Sequence, residues 1–341
     1  MLSVPKGLIV ALGAAVVAGG PLAGQPAEPP ARRFMRTVVG FTPADFQALD
    51  GGQVVTRQIQ TKEKGEVAAF GAVTVNAAPE AFFKAAEDIV RFRSVPEILE
   101  IGRFSSPPRV EDLDGLHFPE EDLESLRKCR PGKCFVKLGD PFLERIAGLD
   151  WSAPGTRAKV ERWGKEALVE HLKAYQAGGT AALGVLVDKD HPKALANEFN
   201  ALLANSPYFV EYIPEFNAYV RDYPKGQLAG TRDAFYWTKD QFGLKPTVSV
   251  HHVTIQRREN GALVADKLLY ATHYFNSGLE FWALAEVSPG NFRMLQIYRT
   301  RLDPPTGMLA GVLLGKVRDG VETGLKANLK NAKAKTEAAA R

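Results

Sequence analysis

The chain is expected to fold as an α+β protein, an antiparallel sheet curled around a long C-terminal helix, with an inserted helical subdomain. Three observations predict this. Between Thr247 and Leu302 four β-rich runs follow one another, divided by Asn260-Gly261, Ser277-Gly278 and Pro289-Gly290. Asn-Gly between two such runs is a strong hairpin signal, because both central residues of that turn need positive φ. From about residue 307 to 333, Leu309, Leu313, Val317, Val321, Leu325 and Leu329 recur at helical spacing. Between about 140 and 232 the pattern is mostly helical.

Residues 1–24 have the form of an export signal. Lys6 gives a short positive region, Leu8–Ala18 is apolar, and small residues run through Ala23-Gly24. A membrane span wants roughly 20 apolar residues, and this run is broken by Gly13, Gly19, Gly20 and Pro21. Gln25 stands where a lipid-bearing cysteine would follow a lipoprotein signal, so no lipid anchor is expected. Residues 25–45, opening QPAEPPARR, are expected to be a proline-rich tether. The folded domain is then expected over 46–341.

Of the 341 residues, 45% are hydrophobic and 24% charged, ordinary values for a globular chain, and the net charge is only +4. No basic stripe interleaved with aromatics is present, which argues against a nucleic-acid partner. The basic C-terminal stretch suits a solvated helix end, with transient contact with a membrane surface left open. The two cysteines, Cys129 and Cys134, flank Pro131-Gly132, a turn dipeptide that brings them together. In the oxidising space that an export signal implies, a disulfide is expected. The location is accordingly expected to be periplasmic or secreted.

Val67–Val75 alternates as a first strand, and Pro79 opens a helix, AFFKAAEDIVRF. The strand ending in Val75, the Ala78-Pro79-Glu80 that follows, a helix with Phe82, Phe83 and Asp88, and at the far end consecutive strands before one long helix resemble the START-like, polyketide-cyclase-like helix-grip superfamily. The resemblance spans roughly 65–95 and 235–333 and is one of element order. It implies a sheet gripping the last helix around a cavity for a hydrophobic small molecule or lipid. The departure is the long middle segment, read as a helical insertion over about 140–232. Within it Arg157–Ala177 is amphipathic and stops at Gly178-Gly179, and Pro192–Asn205 repeats the pattern.

With a two-residue turn at each break, the strands sort into two faces. Ser249, His251, Tyr270, Thr272, Tyr274, Phe281, Met294, Gln296 and Tyr298 fall on one, the candidate ligand-binding wall. Arg258, Lys267, Glu280, Trp282 and Arg299 fall on the other with His252 and His273, which is expected to be wet. The first face mixes hydroxyls, an imidazole and alanines among aromatics, as ligand cavities do. A sheet packed flat on helices is the competing reading.

No nucleophile elbow, zinc helix, Walker loop or dinucleotide fingerprint occurs, and neither cofactor nor metal is expected. His251, facing inward, is a ligand handle, a general acid–base or a core histidine bonded to a tyrosine. Four glycines beside the helical stripe, Gly311, Gly315, Gly320 and Gly324, fit close helix–sheet approach, room for a ligand, or a poorly optimised helix. The function expected first is an exported carrier of a hydrophobic molecule. The alternatives are a cavity enzyme using His251 (a cyclase, dehydratase or hydrolase) and a non-catalytic envelope protein with a filled core.

Overall fold

The structure is a computed structural model that describes residues 28–241, 245–259, 261–303 and 310–341. The expected export signal and Leu309 lie outside the described residues. Ten strands are present among them: β1 (Val55–Ile59), β2 (Glu66–Val75), β3 (Ile98–Arg103), β4 (Val185–Leu186), β5 (Lys193–Ala194), β6 (Thr231–Asp240), β7 (Thr247–Arg258), β8 (Gly261–Ala271), β9 (Phe275–Ser288) and β10 (Asn291–Leu302). The helices are α1 (Pro30–Phe34), α2 (Pro43–Asp50), α3 (Pro79–Ala86), α4 (Ile89–Arg93), α5 (Glu120–Leu126), α6 (Asp140–Ala147), α7 (Thr156–Gly178), α8 (Leu195–Ala204), α9 (Pro207–Tyr212), α10 (Pro214–Asp222) and α11 (Ala310–Ala339).

Eight strands form one antiparallel sheet in the order β1-β2-β10-β9-β8-β7-β6-β3, and β4 and β5 pair separately. The α11 helix lies across the β1-β2-β10 end, burying Leu325, Leu329 and Ala332. Gly71 on β2 permits this seat, since a Cβ there would stand 2.5 Å from Leu329 Cδ1. Further along α11, Lys335 donates from Nζ to the carbonyls of Arg91, Phe92 and Ser94 (2.7–3.0 Å), so the helix caps the end of α4. This is the helix-grip arrangement: strand, two short helices, strand, then a five-strand run returning to the first strand, and a last long helix.

Three features depart from the sequence reading. The expected tether over 25–45 is helical over Pro30–Val39, the last five residues a π turn, and again from Pro43. Proline at the first helical position starts a helix rather than preventing one. Thr42 and Asp45 cap α2 reciprocally, and Phe34, Met35, Phe41 and Phe46 are buried. Second, the segment between β3 and β6 runs over 104–230, starting well before 140. Third, among the described residues nothing lies within 4 Å of where a Cβ would sit at Gly311, Gly315, Gly320 or Gly324, so close approach to the sheet does not account for them.

The inserted helices and α1–α2 cover the sheet face opposite α11. Phe70, Leu295, Ile297 and Phe281 meet Phe34, Phe199, Phe209 and Phe216 there, while Phe235, Trp237, Val248 and Val250 meet Leu168, Leu172 and Tyr175. The face expected to be wet is therefore interior: Lys267, Glu280, Trp282, Arg299, His252 and His273 are all buried. The sheet is the middle of three layers, and Glu280 and Arg299 find their ion-pair partners, Arg93 and Glu66, within the protein.

The disulfide Cys129–Cys134 closes its loop with Cα atoms 4.5 Å apart and Gly132 at φ 78°. Among the described residues no helix is long and apolar enough to cross a membrane.

Candidate functional site

Register decides which side chains meet. Arg258 pairs with Gly261, two residues from the expected register, an even shift that preserves the faces. The second turn is not at Ser277-Gly278. It is at 272–274, where Tyr274 takes φ 57°, and Asp266 pairs with Glu280. That odd offset turns β9 over. Glu280 and Trp282 share the α11 face with Asp266 and Val264, and Phe281, Ala283 and Ala285 lie on the opposite face. A bulge where β7 meets β8, between the Val250 and His251 pairs, also turns Tyr270 outward, where its hydroxyl donates to the Lys137 carbonyl.

The nine candidate wall residues thus divide. Ser249, His251, Met294, Gln296 and Tyr298 share the α11 side of the sheet. Thr272 and Tyr274 sit in the turn, accepting hydrogen bonds from the backbone N–H of Val248 (3.0 Å) and Lys245 (3.1 Å) respectively. Phe281 and Tyr270 face away.

On the α11 side the sequence reading missed the charged members. Arg93 at the end of α4 donates from both terminal nitrogens to Glu280, at 2.8 and 2.7 Å. Trp282 (2.6 Å), Asn328 (3.1 Å) and Gln296 also donate to Glu280 Oε1. Asp266 accepts from the Tyr236 hydroxyl and lies 3.0 Å from His251 Nδ1, and His251 stacks on the Tyr236 ring at 4.8 Å. Burial opposes the charge on Arg93, yet Glu280, Tyr236 and Asp266 hold it well above its ordinary value. Burial likewise raises the Asp266 carboxyl, but His251 and Arg93 outweigh it and hold it down. Burial pushes the Tyr236 hydroxyl well above its ordinary range.

The volume beside this cluster is small. Phe82, Ile89, Phe92, Val253, Val264 and Trp282 leave about 20 Å³, room for about one water molecule. Among the described residues, the sheet and the last helix pack closely beside this cluster, through aromatics of α3, α4 and β9 and through Leu325 and Leu329.

A larger volume lies on the other face of the sheet. A cavity of about 360 Å³ is lined by Phe34, Phe70, Tyr208, Phe209, Tyr212, Ile213, Leu263, Phe281, Leu295 and Ile297, with Ala283 and Ala285 on its floor and Pro29 and Pro30 at its rim. The rings brace one another, Phe209 against Phe281 at 5.2 Å and Phe34 against Tyr208 at 5.5 Å. The two alanines on β9 leave space where a larger residue would fill it. Among the described lining residues Arg258 is the one that is charged. Such a site takes an apolar molecule with a few polar handles.

Farther along that face, the histidines expected to be exposed are interior. His252 lies 2.8 Å from Asp233 and 2.9 Å from the Tyr175 hydroxyl, and His273 lies 2.9 Å from Asp122. Burial lowers His252, against the opposing pull of Asp233. Lys267 is buried beside them, donates to Thr180 Oγ1 (2.6 Å) and is pushed down to about 7 by burial.

No family model and no curated protein matches the chain. Solved structures do. A START superfamily protein from Mycobacterium smegmatis aligns at 10% identity and TM-score 0.21, over 28% of this chain, which thereby spans 64% of that protein's length. The Zhui aromatase/cyclase from Streptomyces sp. R1128 aligns at 13% identity and TM-score 0.26, over 41% of this chain and 86% of that one. The di-domain ARO/CYC BexL from the BE-7585A biosynthetic pathway aligns at 12% identity and TM-score 0.25, over 80% of this chain and 98% of that one. The strand order and the seat of α11 assign the helix-grip fold by themselves, and the family resemblance read in the sequence agrees with them.

Proposed function

We propose that the protein binds and carries a hydrophobic small molecule in the cavity between the outer face of the sheet and the α1 and α9 helices. The observation that carries this reading is the aromatic-lined volume of about 360 Å³, set against about 20 Å³ beside Arg93 and Trp282. The first lies within the range of small-molecule sites, ~300–1,000 Å³, and the second does not. Burial of an apolar ligand against these rings supplies the driving force. The same reading makes the protein an exported one, working in the periplasm or outside the cell. The Cys129–Cys134 disulfide supports that location.

A second reading has one observation in its favour. Asp266 holds His251 Nδ1, and His251 Nε2 has no hydrogen-bond partner among the described residues, an arrangement that fits a general acid–base. The adjoining space admits no substrate without rearrangement, so carriage is the preferred function.

One experiment separates the two. Native mass spectrometry and extraction of the purified protein are expected to show a bound apolar molecule. Ala283→Trp, which fills the cavity floor, is expected to abolish that binding with the fold intact by circular dichroism. His251→Ala is expected to leave it within a few-fold. Undiminished ligand in Ala283→Trp would overturn the assignment of the cavity.

A further inference from the structure

Charge at the cavity is unevenly committed. On the rim and flanks, Arg33 pairs with Glu211 (3.3 Å), Arg36 with Glu28 (2.7 Å), and Arg299 and Arg301 with the buried Glu66. Arg32 lies over the Phe46 ring at 4.0 Å. Where β7 ends, the Arg257 guanidinium lies over the Phe83 ring at 4.0 Å, and the Arg258 side chain lines the cavity. Its Nε donates one long hydrogen bond to Gln256 Oε1 (3.3 Å), and no carboxylate among the described residues pairs with it. An uncommitted guanidinium at the edge of an otherwise apolar cavity has two terminal nitrogens available for a bidentate bond to an oxyanion.

Resting on the cavity assigned above, we propose that its ligand is a single-chain amphiphile with an anionic head, a free fatty carboxylate. The tail lies along Phe70, Leu263, Leu295 and Ile297, and the carboxylate is held by Arg258. A volume of about 360 Å³ is near the small end for ligand sites, which suits one acyl chain and not a two-chain lipid. The aromatic walls provide affinity without regard to the head, and Arg258 provides the selection. Arg258 is exposed enough for its replacement to leave the core untouched.

The test is isothermal titration of the full chain with laurate and with dodecanol, tails of equal length, at about pH 8, where a carboxylate is ionised. Wild-type protein is expected to bind laurate about tenfold more tightly than dodecanol, the scale of one charge-assisted bidentate contact. Arg258→Gln is expected to erase that preference and leave dodecanol binding unchanged. Equal affinities in the wild type, or a preference that survives in Arg258→Gln, overturn the role of the head while leaving the apolar cavity standing. Failure of both ligands to bind overturns the cavity and the head group together.

Discussion

Lys267 shows how one side chain reports its surroundings. Its amine is interior, bonded to Thr180 Oγ1 and lying 3.8 Å from the centre of the Phe199 ring, with no carboxylate paired to it among the described residues. Burial brings it from 10.5 to about 7. In the unfolded chain the amine stays protonated to about 10.5, so between these values the unfolded state holds more protons. Stability therefore rises with pH across that window, and the contribution is lost on descending to about 7. Lys267→Met is expected to stabilise the protein at pH 7 by about 1–4 kcal/mol. It is also expected to flatten the rise in urea midpoint between pH 7 and 9. An unchanged slope would show that Lys267 is solvated. The neighbouring His252 is already neutral across this range, because burial lowers it, and does not confound the measurement.

At the scale of elements, the contact between β2 and α11 depends on what Gly71 lacks. The helix comes close enough that Leu329 and Leu325 occupy the place of a side chain, at 2.5 and 3.3 Å from a Cβ. Gly71→Val is expected to push α11 outward and cost about 1–3 kcal/mol, as overpacking of a filled core does. The change is measurable as a lower denaturation midpoint, together with faster amide exchange along 325–332. Midpoint and exchange both at wild-type values would mean that α11 moves freely on the sheet. Gly261 plays the equivalent part between strands: at φ 151° its Cβ would strike the Leu284 carbonyl at 1.9 Å, so the β8–β9 pairing at the cavity mouth needs glycine.

For the whole molecule the decisive fact is that the sheet is covered on both sides. Nine of ten β2 residues are buried, which suits a strand between two layers and not one with a wet face. Removing 104–230 and joining β3 to β6 directly is feasible in topology, because the two strands are antiparallel neighbours. The shortened chain would expose Phe281, Leu295, Trp237 and Val250 together, an apolar patch no monomer carries in water. It is expected to aggregate or to elute as large oligomers in size-exclusion chromatography. A well-folded monomer would show that the inserted helices are dispensable to the core.

The element order, the antiparallel run from Thr247 to Leu302, the long last helix and the cysteine pairing are all legible in the unfolded chain. Each of these is written in local signals: turn dipeptides, periodicity and short spacing. The chain also carried a hint of the cavity, since Ala283 and Ala285 stood out among aromatics. Which way those alanines face is set by long-range contacts. A strand inverts with a register change of one residue, and both the turn at 272–274 and the bulge opposite Val250 and His251 depend on contacts beyond the hairpin. The same holds for the charged residues. Arg93 and Glu280 are 187 positions apart and read as surface until folding brings them together inside the protein. Periodicity records whether a position is polar, but not whether its partner will arrive from another layer, and so the sheet face that reads as wet is interior.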